Sequence, residues 1–169
     1  VVTINGNSAK LMAVEFTRGF IKVPYGEFII KLPPDKWGEN LAHYLGGDLK
    51  PITDNSNEKR QIERMVLSAL NIDILPNLKP LKLDMTKTEI IRYAQDSTKV
   101  YWRVYHSDNK IVKDDIGSLE FKAHGNGTLV TFHSAHDFTI PVPDHFVQCM
   151  LSQSFVDSIK KYGQIVSQK

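Results

Sequence analysis

The sequence predicts an α+β fold in which an antiparallel sheet packs against one long C-terminal helix. Apolar and polar residues alternate in three segments between residues 99 and 134, which is the period of strands with one buried side. The turn Gly125-Asn126-Gly127 predicts a tight hairpin between the last two of these strands. From Val147 to Val166 apolar residues recur every three or four positions, as on an amphipathic helix.

The first third of the chain predicts one strand and two short helices. Residues 11–23 alternate as a strand and end at a proline, which lacks the N–H that a ladder requires. Residues 25–32 predict one or two helical turns, and residues 35–45 predict a second short helix followed by two glycines. Residues 51–59 are polar and rich in turn formers, so we expect a surface loop there.

The middle of the chain predicts further strands. Residues 61–75 have apolar spacing that fits a helix, but their β-branched content and the proline that follows also allow a strand, and we interpret them as a strand. Residues 81–93 are rich in threonine and isoleucine, which favour extended structure. Strands at 99–107, 118–123 and 128–134 then form a meander with a common apolar side.

Length and charge limit the possible partners. The 169 residues correspond to a single domain, 1–169, at about 150 residues per domain. The chain has 21 Lys plus Arg residues and 19 Asp plus Glu residues, which gives a net charge of +2. This composition is not strongly basic, so it does not indicate nucleic acid or an anionic membrane as a partner. No apolar run approaches the roughly 20 residues that span a bilayer. We therefore expect neither nucleic-acid binding nor an integral membrane segment.

The compartment is predicted only from the ends and the cysteine content. The chain begins at Val1 rather than methionine, which favours an exported mature protein, periplasmic or secreted, with the cytoplasm as the alternative. The single cysteine, Cys149, cannot form an intramolecular disulfide and is compatible with either compartment. We expect it to be a partly buried, unreactive thiol at the rim of the apolar stripe of the final helix.

Four segments together carry a resemblance to a known family. They are residues 100–104, 115–121 and 127–132, and Ile140-Pro141 before the final helix. With the element order, they resemble the helix-grip fold of the START-like or SRPBCC superfamily, which includes the birch-pollen-allergen family, polyketide cyclases and coenzyme Q-binding proteins. The resemblance implies a curved sheet wrapped around the last helix. It also implies an apolar cavity that holds a lipid, sterol, quinone or polyketide.

Large apolar side chains predicted to lie between sheet and helix are the candidate ligand-binding residues. They are Trp102, Phe121, Val130, Phe132, Met150 and Phe155. The alternative is a solid core, because an apolar side of an amphipathic element is usually packed. Ser154 and Ser158 are small residues within the apolar stripe of the helix and would leave space under it. Tyr101, Arg103 and His133 fall on the opposite side by the two-residue period.

Polar clusters predict neither a metal site nor catalysis. His133, His136 and His145 are near one another in sequence, but the first two would face opposite sides of a strand, and zinc-ligand spacing is absent, so we predict no metal. Asp114-Asp115 precede Ile116-Gly117 and are interpreted as a turn. No phosphate loop, G-x-S-x-G or H-E-x-x-H motif occurs, and we predict no cofactor and no catalytic residue.

Three functions remain open at this point. The first is a carrier or sensor that binds a hydrophobic small molecule between sheet and helix. The second is a cyclase or aromatase-type enzyme in the same cavity, which requires a His or Tyr pointing inward, and the alternation supplies none. The third is a protein-interaction module of the co-chaperone type that uses the outer residues Tyr101, Arg103 and Tyr105. We expect the carrier, and an enzyme less than a binding protein.

Overall fold

The computed structural model describes residues 2–4, 7–9, 13–34, 49–53, 61–72, 81–107, 112–139 and 144–168. It contains nine strands: β1 Val2–Ile4, β2 Asn7–Ala9, β3 Ala13–Ile21, β4 Leu49–Thr53, β5 Gln61–Ile72, β6 Leu81–Tyr93, β7 Ser97–Ser107, β8 Val112–His124 and β9 Gly127–Phe138. The two described helices are α1, Tyr25–Lys31, and α2, Asp144–Val166. Strands β1 and β2 pair with each other, and the remaining strands form one antiparallel sheet in the order β3-β9-β8-β7-β6-β5-β4.

The predicted α+β architecture is confirmed, including the strand interpretation of 61–75, which β5 occupies over Gln61–Ile72. Strand β6 covers the predicted 81–93, and α2 covers the predicted helix. The turn at Gly125 is confirmed by its φ of 56°, a left-handed conformation that glycine adopts without strain. The predicted helix at 35–45 lies outside the described residues.

Two predictions are wrong. Residues 51–53 belong to β4 rather than to a loop, because pairing with β5 outweighs the turn-forming composition of the segment; the rest of the predicted loop lies outside the described residues. Asp114 and Asp115 are not in a turn. They lie inside β8, which begins six residues before the predicted strand and pairs with β9 through Asp115↔His136. The β1–β2 hairpin was not predicted at all.

The core lies between α2 and one side of the sheet, called here the helix-facing side. Across neighbouring strands, the residues paired in register as Ile91↔Val100, Val100↔Leu119 and Leu119↔Phe132 are all buried. On α2, Ile159, Tyr162 and Val166 pack against the same cluster. Because strand residues alternate sides, this register also shows which residues further along each strand face the helix.

Helix α1 covers one end of this core. Phe28 is fully buried and its ring centroid lies 4.8 Å from that of Phe121. Tyr25 donates or accepts a 2.6 Å hydrogen bond with the Thr98 hydroxyl, so the buried phenol is satisfied. Within the described residues, no helix is long and apolar enough to cross a bilayer.

Candidate functional site

The helix-facing side of the sheet changes from apolar to polar toward the end at which β9 finishes. Ser134 and His136 follow Phe132 on β9 at intervals of two residues, and His136 pairs in register with Asp115. The two-residue period therefore places Ser134, His136 and Asp115 on the side that faces α2. The same count along β6 and β7 places Lys87 and Trp102 there, with Trp102 paired to Gly117.

These side chains form a continuous hydrogen-bonded series, called here the buried polar chain: Lys87, Asp115, His136 and Ser134. The Lys87 ammonium lies 2.8 Å from Asp115 Oδ2. Asp115 Oδ1 is 3.2 Å from His136 Nδ1, and His136 Nε2 is 3.0 Å from the Ser134 hydroxyl. The chain thus runs from a cation, through a carboxylate and an imidazole, to a hydroxyl.

The chemistry of Asp115 sets the direction of the hydrogen bonds. A carboxylate only accepts, so His136 Nδ1 carries a proton and donates it to Asp115. In the neutral imidazole, Nε2 is then an acceptor and the Ser134 hydroxyl donates to it. The resulting order, hydroxyl to imidazole to carboxylate, is the connectivity by which proteins orient a histidine as a proton acceptor.

Asp115 remains ionised although it is buried. Burial alone would raise the pKa of its carboxyl group, but the charge of Lys87 and the hydrogen bond from His136 oppose this. The net result is a pKa well below the usual value of an aspartate. The Trp102 indole N–H donates a further hydrogen bond of 3.2 Å to Asp115 Oδ1. The buried charge is therefore compensated from three directions.

Gly117 allows Trp102 to lie flat over the sheet beside the buried polar chain. A methyl group built at residue 117 would overlap the indole ring, so the close approach requires glycine at this position. The Lys87 ammonium lies 5.6 Å from the centre of the same ring, at cation–π distance. Trp102 thus separates the polar chain from the apolar core while contacting both.

Solvent exposure differs between the two ends of the buried polar chain. Ser134 is 0% exposed, His136 2% and Asp115 5%, whereas the Lys87 side chain is 18% exposed. Trp102 is half-buried. Lys87 and Trp102 are therefore the more accessible end of the buried polar chain, and His136 and Ser134 are its closed end.

The predicted ligand-binding residues all lie on α2 or the helix-facing side, but in two different environments. Phe121, Val130 and Phe132 are buried in the core, and Phe121 packs between Phe28 and Tyr162. Trp102, Phe155 and Met150 are half-buried. The Phe155 ring stacks on Phe132 with centroids 4.5 Å apart and planes 11° apart. The structure thus joins Phe132 and Phe155 directly, and binding by all six residues stays a prediction.

Sequence reasoning missed Asp115, His136 and Lys87. The expectation that no inward-pointing His or Tyr exists is wrong, because His136 and Tyr162 both lie buried between the sheet and α2. His136 shares the parity of Val130 and Phe132, so extending the predicted strand to residue 138 would have found it. Cys149 is exposed rather than partly buried.

Of the outer residues predicted for an interaction module, Tyr101 and Arg103 are only partly exposed, and the side chain of Tyr105 lies outside what the structure describes. Tyr101 and Arg103 are half-buried; Arg92 stacks over Tyr101, and Arg103 pairs with Asp114 at 3.1 Å. His133 is exposed on the outer side, as predicted. Among the residues that the structure describes, no group of three or more His, Cys, Asp or Glu side chains is arranged to hold a metal ion.

Comparison with known proteins shows the fold. No protein-family model and no curated protein sequence matches the chain. The structure is similar to a STAR-related lipid transfer protein from Xanthomonas axonopodis, with 13% identity, a TM-score of 0.63, and coverage of 90% of this chain and 85% of that one. It is also similar to major latex-like protein 151 from Panax ginseng, at 14% identity and a TM-score of 0.57, covering 93% and 96%.

A third similar structure is the di-domain ARO/CYC protein BexL from the BE-7585A biosynthetic pathway. The identity is 9% and the TM-score 0.66, and the match covers 93% of this chain and 50% of BexL. The class that the architecture defines is therefore the helix-grip fold. The chain has the fold of START-like proteins, as the resemblance in its sequence implied.

Proposed function

We propose that the protein binds a hydrophobic small molecule carrying a polar group, between the sheet and the N-terminal half of α2. The observation that carries the proposal is that half-buried Trp102 lies beside the exposed end of the buried polar chain at Lys87, while half-buried Phe155 stacks on Phe132 of the same side of the sheet. Binding sites of this kind are mostly apolar and contain a few polar groups that fix orientation.

The apolar part of the site supplies affinity. Burying apolar ligand surface contributes about 25 cal/mol per Å², and the faces of Trp102 and Phe155 are suited to flat or branched hydrocarbon. Ser154 and Ser158 are half-buried on α2, and the Ser158 hydroxyl donates to the Ser154 carbonyl oxygen at 2.9 Å. That hydroxyl is therefore satisfied within the helix, and the small side chain supports the presence of space above the sheet.

The polar part of the site orients the ligand. An ammonium group has three donors, and Asp115 takes one of those of Lys87. A carbonyl or hydroxyl oxygen of the ligand can accept a second hydrogen bond from Lys87, at the exposed end of the buried polar chain. The similar structures include a lipid transfer protein and an ARO/CYC protein, which supports a hydrophobic ligand of this type.

Native mass spectrometry and dye binding test the proposal. The freshly purified protein should carry an extractable hydrophobic molecule, and the stripped protein should bind the hydrophobic dye ANS. Ser154→Phe should occupy the space under α2 and weaken dye binding about tenfold, about 1.4 kcal/mol, because the dye would compete with the new ring for the same space. Gln153→Phe is the matched control, since Gln153 is exposed on the same helix.

Circular dichroism melts should show that both variants fold. A wild-type protein that carries no extractable molecule and does not bind the dye would contradict the proposal. Equal dye affinity of the two variants would also contradict it, because the dye would then bind elsewhere than under α2.

A second candidate function is supported by His136, which Asp115 and Ser134 hold in one orientation. In a cyclase or aromatase-type enzyme, His136 Nε2 would accept or return a proton during an aldol ring closure. The burial of His136 makes this the second choice, because the ring must first be uncovered.

The extracted molecule distinguishes the two functions. If the protein is an enzyme, the extracted molecule or its open-chain ketone analogue should lose water and change mass when it is incubated with the stripped protein. His136→Gln should stop this reaction, because a glutamine side chain forms hydrogen bonds but does not accept and return a proton at neutral pH. A carrier leaves the mass unchanged in both proteins. Conversion at equal rates in wild type and His136→Gln would contradict a catalytic role for this residue.

A further inference from the structure

We propose that the outer side of β3 docks on the surface of an anionic lipid bilayer. The surface consists of Phe16, Arg18 and Phe20 on β3 and of Lys22 directly after it, called here the β3 outer stripe. It lies on the opposite side of the sheet from α2 and the buried polar chain, since Thr17 and Ile21 of the same strand are buried. The inference does not rest on the proposed ligand-binding function.

Two large aromatic side chains of this stripe lie against the outer side of the sheet with about half of their surface exposed. Phe16 is 56% exposed and Phe20 49%, so neither ring serves the core. They are four residues apart on one side of an extended strand, which corresponds to about 13 Å. Exposed apolar groups grouped in this way indicate an interaction surface.

Cationic groups alternate with the rings. The Arg18 guanidinium lies 5.2 Å from the centre of the Phe16 ring, and Lys22 continues the alternation beyond Phe20. His133 contacts the edge of Phe16 at 5.9 Å, and His124 contacts Phe20 at 6.2 Å between centroids. The two rings are thus bordered by two cationic side chains and two imidazole rings.

Among the described residues, the fully exposed charged side chains beside the stripe are cationic. Lys122 is exposed two residues before His124 on the same side of β8. Glu120, two residues earlier on that side, pairs with Lys99 at 2.9 Å and does not neutralise the stripe. The overall charge of +2 conceals this arrangement, because it averages over the whole chain. A negatively charged surface is the complementary partner.

A bilayer suits this surface better than a protein does. Two single rings about 13 Å apart would need two separate matching pockets in a protein partner, whereas a lipid interface receives separated rings without preformed pockets. Arginine and lysine beside them would contact lipid phosphates. The alternation of ring and cation therefore matches an anionic interface.

Vesicle flotation with the full chain tests the inference. The protein should float with vesicles of phosphatidylcholine mixed with phosphatidylglycerol, and much less with phosphatidylcholine alone. Arg18→Gln should weaken binding about fivefold, because one cation near an anionic membrane contributes about 1 kcal/mol. Phe16→Ser should weaken binding by a comparable factor, and added salt should weaken binding of the wild type.

Ile30→Ser is the matched control, because Ile30 is 80% exposed but lies on α1, away from the stripe. It should bind as the wild type does. The inference is overturned if the wild type does not float with either vesicle, if Phe16→Ser and Arg18→Gln bind as tightly as the control, or if the stripe variants instead abolish a dimer seen by gel filtration. All variants replace exposed side chains, so melting curves should match.

Discussion

At the scale of single residues, Asp115 is a buried negative charge that holds several strands together. Its two oxygens accept from Trp102, His136 and Lys87, so a single carboxylate connects β6, β7, β8 and β9. Replacing such a group does not remove an interaction cleanly, because the remaining partner is left as a buried, unpaired charge. Here that partner is Lys87, whose side chain is 18% exposed.

Asp115→Asn should therefore lower the free energy of unfolding by about 3–5 kcal/mol at neutral pH, as measured by urea titration. The folded pKa of Asp115 lies below its unfolded value, which is about 3.9 for aspartate. Its contribution is therefore fully present above about pH 4 and is lost as the pH falls toward the folded pKa. The difference between wild type and variant should shrink in acid.

Asp114→Asn provides the control for this prediction. Asp114 is half-buried on the outer side and pairs with Arg103 at 3.1 Å. An ion pair near the surface contributes about 0–1 kcal/mol, so its loss should be small and should depend weakly on pH. If both variants lose the same stability, Asp115 is not the charge that holds the interior together.

At the scale of elements, the period of apolar residues predicted the strands and the helix that form the core, but it did not predict the polar residues of the candidate site. The strand at 99–107 and the final helix were identified by the period of their apolar residues, whereas 81–93 was identified by its threonine and isoleucine content. In β8 and β9 the inward positions change from Leu119 and Phe132 to Asp115 and His136. The alternation of apolar and polar residues ends there, although the strands continue.

The site could be predicted only in its apolar half for the same reason. Trp102, Phe132 and Phe155 are large and apolar, and a two- or four-residue count locates them. Lys87 is separated from Asp115 by 28 positions in sequence, and only the register of β6, β7 and β8 brings the two together. Long-range register follows from sheet pairing and leaves no local pattern.

At the scale of the whole molecule, α2 closes the interior unevenly along its length. Its C-terminal end is anchored: Val166 is fully buried, and the Lys31 ammonium of α1 donates to the Val166 carbonyl oxygen at 3.0 Å. Toward its N-terminal end Leu151 is buried, but Met150 and Phe155 are only half-buried and Phe146 is 55% exposed. The interior is therefore sealed at the α1 end and looser at the end where the buried polar chain lies.

Two phenylalanine truncations should measure this asymmetry. Phe121→Ala, at the sealed end, should lower the free energy of unfolding by about 3–5 kcal/mol, because a fully buried ring leaves a cavity. Phe155→Ala should cost only about 1–2 kcal/mol, since its half-buried ring loses less contact area and less packing. Urea unfolding measures both, and Phe121→Leu gives a milder comparison if Phe121→Ala does not fold. Equal losses from the two alanine variants would mean that α2 packs as tightly over Phe155 as over Phe121, which leaves no room for a ligand.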